Sequence, residues 1–197
     1  MQKRIFSIVI PTFNEEKNIS KIINDLLKLD IFYDLEVIVV DDNSVDGTSS
    51  LVREYARLDR RVRLICRFGR SGLSSAIKEG CLCASGEIIS VMDADGQHDP
   101  SYLLSALEKI ESEEVDIVVG SRFMEGSIIK GLSKKREESS SIANSLAHIS
   151  LYGSYSNLTD YMSGFIVFKR NTCIRFIEKI DVNGFKFLYE LLSISKG

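Results

Sequence analysis

The sequence predicts a single α/β domain with a mostly parallel central sheet flanked by helices, and three observations carry that expectation. Short apolar runs rich in Val and Ile recur along the chain up to Gly120. Segments with helical periodicity separate them, and polar clusters containing carboxylates follow several of the runs directly.

Taken in order, Ile5–Ile10 reads as a buried strand, and Asn18–Leu29 as a helix with Ile19, Ile22, Ile23, Leu26 and Leu27 on one face. Leu35–Val40 is the second strand, and Gly47–Leu58 the second helix, with Leu51, Val52, Tyr55 and Leu58 in register. Strands at Val62–Cys66, Ile88–Met92 and Val115–Val119 alternate with helices at Gly72–Ala84 and Pro100–Ser112. Such alternation describes a doubly wound sheet, whose ligands belong at the carboxyl ends of the strands. Beyond Gly120 the composition shifts. Ser121–Ser141, with the charge run Lys134-Lys135-Arg136-Glu137-Glu138, reads as a long surface loop, a length that suits a functional lid. A helix near Ser140–Leu151, a strand at Ser163–Arg170 and helices around Asn171–Lys179 and Gly184–Ile194 complete the chain.

Composition narrows the function. A chain of 197 residues with 44% apolar content can bury a core, and a net charge of -3 argues against a nucleic-acid partner. Cys66, Cys81, Cys83 and Cys173 lack metal-ligand spacing and read as buried thiols of a reducing compartment. No stretch reaches the ~18 apolar residues of a spanning helix.

The chemistry concentrates at Asp93-Ala94-Asp95-Gly96-Gln97-His98-Asp99, directly after an apolar strand. Two carboxylates and an amide, with no thiolate nearby, suit a hard cation such as Mg2+ or Mn2+ that also holds phosphate oxygens, so a nucleoside diphosphate is the expected ligand. The bland alternative is an acidic turn leading into a helix at Pro100. Pro11-Thr12-Phe13-Asn14-Glu15 stands where a dinucleotide-binding protein would carry Gly-x-Gly-x-x-Gly, which argues against NAD or FAD. Phe13 can contact a base and Glu15 can accept from base or ribose, unless this is a plain turn with Asn14 as a helix cap. Asp41 and Asp42 end the second strand. Asp42 can read a base or ribose, while Ser44 or Asp46 serves as a helix cap. Gly69–Ala76 opens a helix with small residues, and Arg67 and Arg70 add charge, either for an anion or as solvated side chains of a surface turn. Arg122 closes the fifth strand, and Arg136 with Ser140 supplies a second cation and a hydroxyl. Arginine suits forked recognition of phosphate.

In this order PTFNEEKNI, VVDDNSVDGT, GLSSAIKEG, MDADGQHDP, VVGSRF, R-x-x-x-S-x-x-AN-x-LA and MSGF resemble family 2 glycosyltransferases of the GT-A fold, a Rossmann-like sheet, and within them the polyprenyl-phosphate glycosyltransferases. The resemblance implies one catalytic domain over residues 1–197, lacking the C-terminal extension that family members usually carry. It implies transfer of a sugar, with inversion, from GDP-mannose or a UDP-sugar to a polyprenyl phosphate such as dolichyl phosphate. The work would be done by a peripheral enzyme at the cytoplasmic membrane face or beside a membrane-anchoring subunit. By the same resemblance Pro11, Phe13, Glu15, Val40 and Asp42 hold the nucleoside. Asp93, Ala94, Asp95 and Gln97 form the diphosphate and metal site, with Asp93, Asp95 and Gln97 as metal ligands. Arg122 meets the donor phosphates, and Arg136 with Ser140 meets the acceptor phosphate or its loop. The chain departs from the family pattern in Phe13 for tyrosine, Ser74 for glycine and Gly96 for leucine, none of them a charged ligand.

An alcohol acceptor needs a base to remove its proton, whereas a phosphate monoester, with a second pKa of about 6, arrives charged. Between Thr159 and Phe165, where alcohol-glycosylating relatives place their base, Asp160 is the sole carboxylate. A sugar nucleotidyltransferase would carry a Gly-rich triphosphate loop in place of Pro11–Glu15. A non-catalytic sugar-nucleotide-binding protein is the other competing reading.

Overall fold

The computed structural model describes residues 4–29, 33–69, 71–96, 98–112, 115–123, 134–151, 153–181 and 186–196, with backbone alone for 134–142. Gln97, Arg70 and the side chains of Arg136 and Ser140 lie outside the described residues.

Strand β1 (Ile5–Thr12) leads through helix α1 (Glu16–Leu27) to β2 (Asp34–Asp41), and α2 (Thr48–Leu58) leads to β3 (Val62–Cys66). Then follow α3 (Leu73–Cys83), β4 (Ile88–Met92), α4 (Tyr102–Ser112) and β5 (Ile117–Val119). Helix α5 (Lys134–Leu151), strand β6 (Phe165–Lys169) and helices α6 (Arg170–Ile177) and α7 (Phe187–Ser195) close the order. The six strands lie as β3-β2-β1-β4-β6-β5. β1 pairs in parallel with β2 and β4, and β2 with β3. β6 runs antiparallel between β4 and β5.

Alternation along each strand builds two cores, because successive side chains leave opposite faces of a sheet. Phe6, Ile8, Ile10, Val37 and Val39 pack under Ile19, Ile23 and Leu26 of α1, Val52 of α2 and Leu103 of α4. Val9, Ile38, Val40, Ile89 and Val91 face Ile77 and Cys81 of α3, Ala147 and Leu151 of α5, and Leu188 and Leu191 of α7. Gly80 lets α3 lie close on the sheet, since a Cβ there would stand 2.3 Å from Val9 Cγ1 and 2.9 Å from Val40 Cγ2.

Chain order reverses between β1 and β4. The carboxyl ends of those strands therefore splay apart and open a crevice, the usual ligand position in such sheets. The structure corrects several expectations. The run 134–138 is helical, because Lys, Arg and Glu are strong helix formers as well as solvated residues. β1 and β2 each run one to two residues further, carrying Pro11 into register with Val40 and Thr12 with Asp41. Of the cysteines, Cys81 and Cys173 are buried, Cys66 is partly buried, and Cys83 is exposed on the outer side of α3. Among the described residues no helix is long and apolar enough to cross a membrane.

Candidate active site

Pro11 and Thr12 at the end of β1, Phe13 and Glu15 after it, Asp42 after β2, Leu73 and Ala76 of α3, and Asp93, Ala94 and Asp95 after β4 line one open cleft of ≈ 260 Å³. Phe13 presents its ring to solvent at 60% exposure, an arrangement a stacked base would cover.

The loops after β1 and β2 brace one another. Asn14 and Asn43 both take left-handed backbone conformations (φ 58° and 56°), which asparagine tolerates better than most residues. Asn14 N–H donates to Ser44 Oγ (2.8 Å), Val45 N–H donates to Asn14 Oδ1 (3.0 Å), and Glu15 N–H donates to Thr48 Oγ1 (2.9 Å). Asn14 thus acts as a brace between loops rather than as the cap of α1. Asp46 accepts from the N–H groups of Thr48 and Glu16, so it serves α2 and α1 together.

The adjacent carboxylates Asp41 and Asp42 divide their work. Asp41 is wholly buried and accepts from Ser44 N–H (3.0 Å), Ser49 Oγ (2.6 Å) and Thr12 Oγ1 (3.2 Å). Asp42 lines the cleft. Its Oδ2 accepts from Gly72 N–H (2.8 Å) and its Oδ1 lies 3.2 Å from Arg67 Nη1. Arg67, one of the two cations read as free for an anion or solvated, is completely buried. It lies between Asp42, Ser75 Oγ and Glu79 (3.6 Å). A buried guanidinium needs such partners, and all of them are distant in sequence or on the next helix. Asp42 Oδ1 is buried and accepts no hydrogen bond among the described residues, its charge being met by Arg67. Val40 differs from the expectation drawn for it: its side chain is fully buried against α3, so any contact to a nucleoside falls to its backbone.

Asp93 and Asp95 sit at the mouth of β4. Burial pushes the Asp93 carboxyl up to about 7, the charges of Asp95 and Glu15 adding to the rise and Arg122 opposing it. Two mutually repelling carboxylates beside this open cleft fit a divalent cation, which would be shared with donor phosphates. Among the described residues no group of three or more His, Cys, Asp and Glu is placed to hold a metal ion by itself. Gly164 leaves room for the Asp93 carboxylate. A Cβ at that position would fall 1.9 Å from Asp93 Oδ2, so only glycine lets the chain entering β6 pass over the carboxylate. Gly164→Ala is therefore expected to displace Asp93 and abolish Mn2+-dependent nucleotide stabilisation while leaving metal-free nucleoside affinity within about threefold. Thermal-shift titration with and without Mn2+ checks this, and undiminished metal dependence would refute it.

Arg122 follows β5 and is held by Asp160. Its Nε donates to Oδ2 (2.8 Å), its Nη2 to Oδ1 (3.0 Å), and its own backbone N–H to Oδ2 (3.2 Å). Met162 N–H donates to Oδ1 (3.0 Å), so Asp160, wholly buried, is filled by four donors. The one carboxylate open to a base role in the sequence is an anchor for an arginine. Sequence reasoning could not reach this, since the pair is separated by 38 positions. It also missed Gly164 as the cover of Asp93, although the glycine lies within the MSGF motif. His98 packs its ring against Phe165 (centroids 5.4 Å) behind the acidic pair.

Comparison with known proteins agrees with this arrangement. The chain is 32% identical over 188 residues to dolichol-phosphate mannosyltransferase of Pyrococcus furiosus, covering 94% of this chain and 51% of that protein. It is 27% identical over 210 residues to dolichyl-phosphate beta-glucosyltransferase of Dictyostelium discoideum, covering 96% of this chain and 62% of that protein. It thus spans about half to three fifths of these relatives. In fold it matches glucosyl-3-phosphoglycerate synthase from Mycobacterium tuberculosis, solved with Mn2+, UDP and glucosyl-3-phosphoglycerate. That match has a TM-score of 0.66 at 21% identity and covers 86% of this chain and 58% of that one. The architecture is that of the GT-A glycosyltransferases. The profile of Glycosyl transferase family 2 matches residues 7–173, and the chain belongs to that family.

Proposed function

We propose that this chain is the catalytic domain of an inverting glycosyltransferase that moves a sugar from a nucleoside diphosphate sugar to a polyprenyl phosphate. The observation that carries the reading is the convergence of Phe13, Glu15, Asp42, Asp93 and Asp95 on one cleft at the switch point of the sheet. Mannose from GDP-mannose is the first choice, since the Pyrococcus furiosus relative is a mannosyltransferase; a UDP-sugar is the alternative, motivated by the glucosyltransferase of Dictyostelium discoideum.

In this mechanism Phe13 stacks on the base, while Asp42 and Glu15 accept from base and ribose. Asp93 and Asp95, with Gln97, would hold Mg2+ or Mn2+, and the ion when bound would offset negative charge on the leaving diphosphate. Arg122 adds a fixed cation beside that charge, and Arg136 with Ser140 receives the acceptor phosphate. An oxygen of the lipid phosphate bonds to the anomeric carbon from the face opposite the leaving group. The bond to the diphosphate breaks and its electron pair leaves with the nucleotide. The lipid tail stays in or near the bilayer, so the enzyme works at the cytoplasmic membrane face, peripherally or beside an anchoring partner.

A thermal-shift panel of GDP-mannose, UDP-glucose and UDP-GlcNAc, with and without Mn2+, tests the donor, because a ligand that binds only the folded state raises its stability. One donor should stabilise, more strongly with metal. Stabilisation by none would overturn the reading, and stabilisation without turnover on dolichyl phosphate would favour a sugar-nucleotide-binding protein. Asp42→Asn is expected to weaken that donor about tenfold while slowing the saturated enzyme less than threefold. It should also lower the melting temperature, since Arg67 loses a counter-charge inside the protein. Unchanged affinity with reduced turnover would remove Asp42 from nucleoside recognition.

A further inference from the structure

Asn144 of helix α5 grips the turn that holds Arg122. Asn144 Nδ2 donates to the carbonyl of Thr159 (2.7 Å), and Asn144 Oδ1 accepts from the N–H of Tyr161 (2.7 Å). The residue between those two contacts is Asp160. Both ends of the amide are thus used to grip the backbone on either side of the carboxylate that holds Arg122. The grip has no redundancy in Asp160 itself, whose remaining partner, Met162 N–H, belongs to the same turn. Arg122 keeps 26% of its side chain exposed, and the Asp160 fork, with the Phe123 ring centroid 5.7 Å from the guanidinium carbon, sets its direction.

We propose that Asn144 is a positioning residue for Arg122: it clamps the Thr159–Tyr161 segment so that the Asp160 carboxylate aims the guanidinium at the donor phosphates. The same helix carries Arg136 two turns earlier, about 12 Å along its axis. The proposal rests on the reading of Arg122 as a donor-phosphate contact.

Asn144→Ala is expected to lower affinity for GDP or UDP about tenfold in the presence of Mn2+, the scale of one charge-assisted contact, with GMP or UMP affinity changed less than twofold. In an Arg122→Lys background the same substitution should cost less than twofold, since residues acting through one another are not additive. The Arg122 Nε–H resonance, assigned by its loss in Arg122→Lys, should shift and exchange faster with water in Asn144→Ala. If that variant does not fold, Asn144→Asp keeps the acceptor for Tyr161 N–H and opens only the Thr159 half of the clamp, with the same signs and smaller size. Equal losses for mono- and diphosphates, additive losses in the double variant, or an unmoved Arg122 resonance would each overturn the proposal. A moved resonance combined with an Arg122→Lys protein that binds GDP and UDP normally would uphold the mechanical link and refute the donor-phosphate role of Arg122.

Discussion

Asp95→Ala should lower turnover by at least about a thousandfold, which corresponds to roughly 4 kcal/mol of lost transition-state stabilisation. Asp95 is exposed at the bend that follows β4, so truncating it removes no packing, and the fold should hold within about 0.5 kcal/mol. Its loss also relieves the repulsion that helps raise Asp93, which tends to offset any cost. What disappears is the second oxygen donor beside Asp93, and with it the charge balance against a diphosphate. The Mn2+-dependent part of nucleotide stabilisation should vanish in the same variant, with metal-free nucleoside affinity nearly unchanged. Wild-type turnover in excess chelator, or an Asp95→Ala protein that retains its metal response, would exclude a metal-assisted leaving group.

The parallel half of the sheet was legible because short apolar strands alternate with amphipathic helices, which leaves few alternatives. Direction was not legible for β6: four apolar residues in a row have no polarity, and its antiparallel place between β4 and β5 is visible only in the pairing. The start of α5 was misread because a run of Lys, Arg and Glu signals solvent and helix equally well. At the site, residues that end strands were readable one by one, as Asp42, Asp93 and Asp95 demonstrate by lining a common cleft. Pairings were not. Arg67 reaches back to Asp42, and Arg122 forward to Asp160, over separations that no local pattern records. Val40 is a motif neighbour whose side chain faces the core, which leaves only its backbone for a nucleoside.

Asp160→Asn separates an anchor from a base. As an anchor, Asp160 meets the Arg122 guanidinium through both oxygens, and this ion-pair bonding raises the Arg122 pKa. Losing the charge should cost about 1–3 kcal/mol. This is less than the ~3–5 kcal/mol of a fully buried pair, because Arg122 is partly exposed and can recover hydration. Turnover should fall more than about tenfold, through a guanidinium no longer aimed at the donor. Acceptor choice should not change: dolichyl phosphate is used by both proteins and free dolichol by neither. A base would behave otherwise. Its removal would leave stability intact and abolish transfer to an alcohol that the wild type accepts. The proton inventory favours the anchor, since four donors already occupy Asp160 and a lipid phosphate, with its second pKa of about 6, brings its own negative charge. Denaturant titration together with paired assays on dolichyl phosphate and dolichol decides between the two roles. Wild-type transfer to dolichol that Asp160→Asn eliminates at unchanged stability would place the chain among alcohol-glycosylating enzymes.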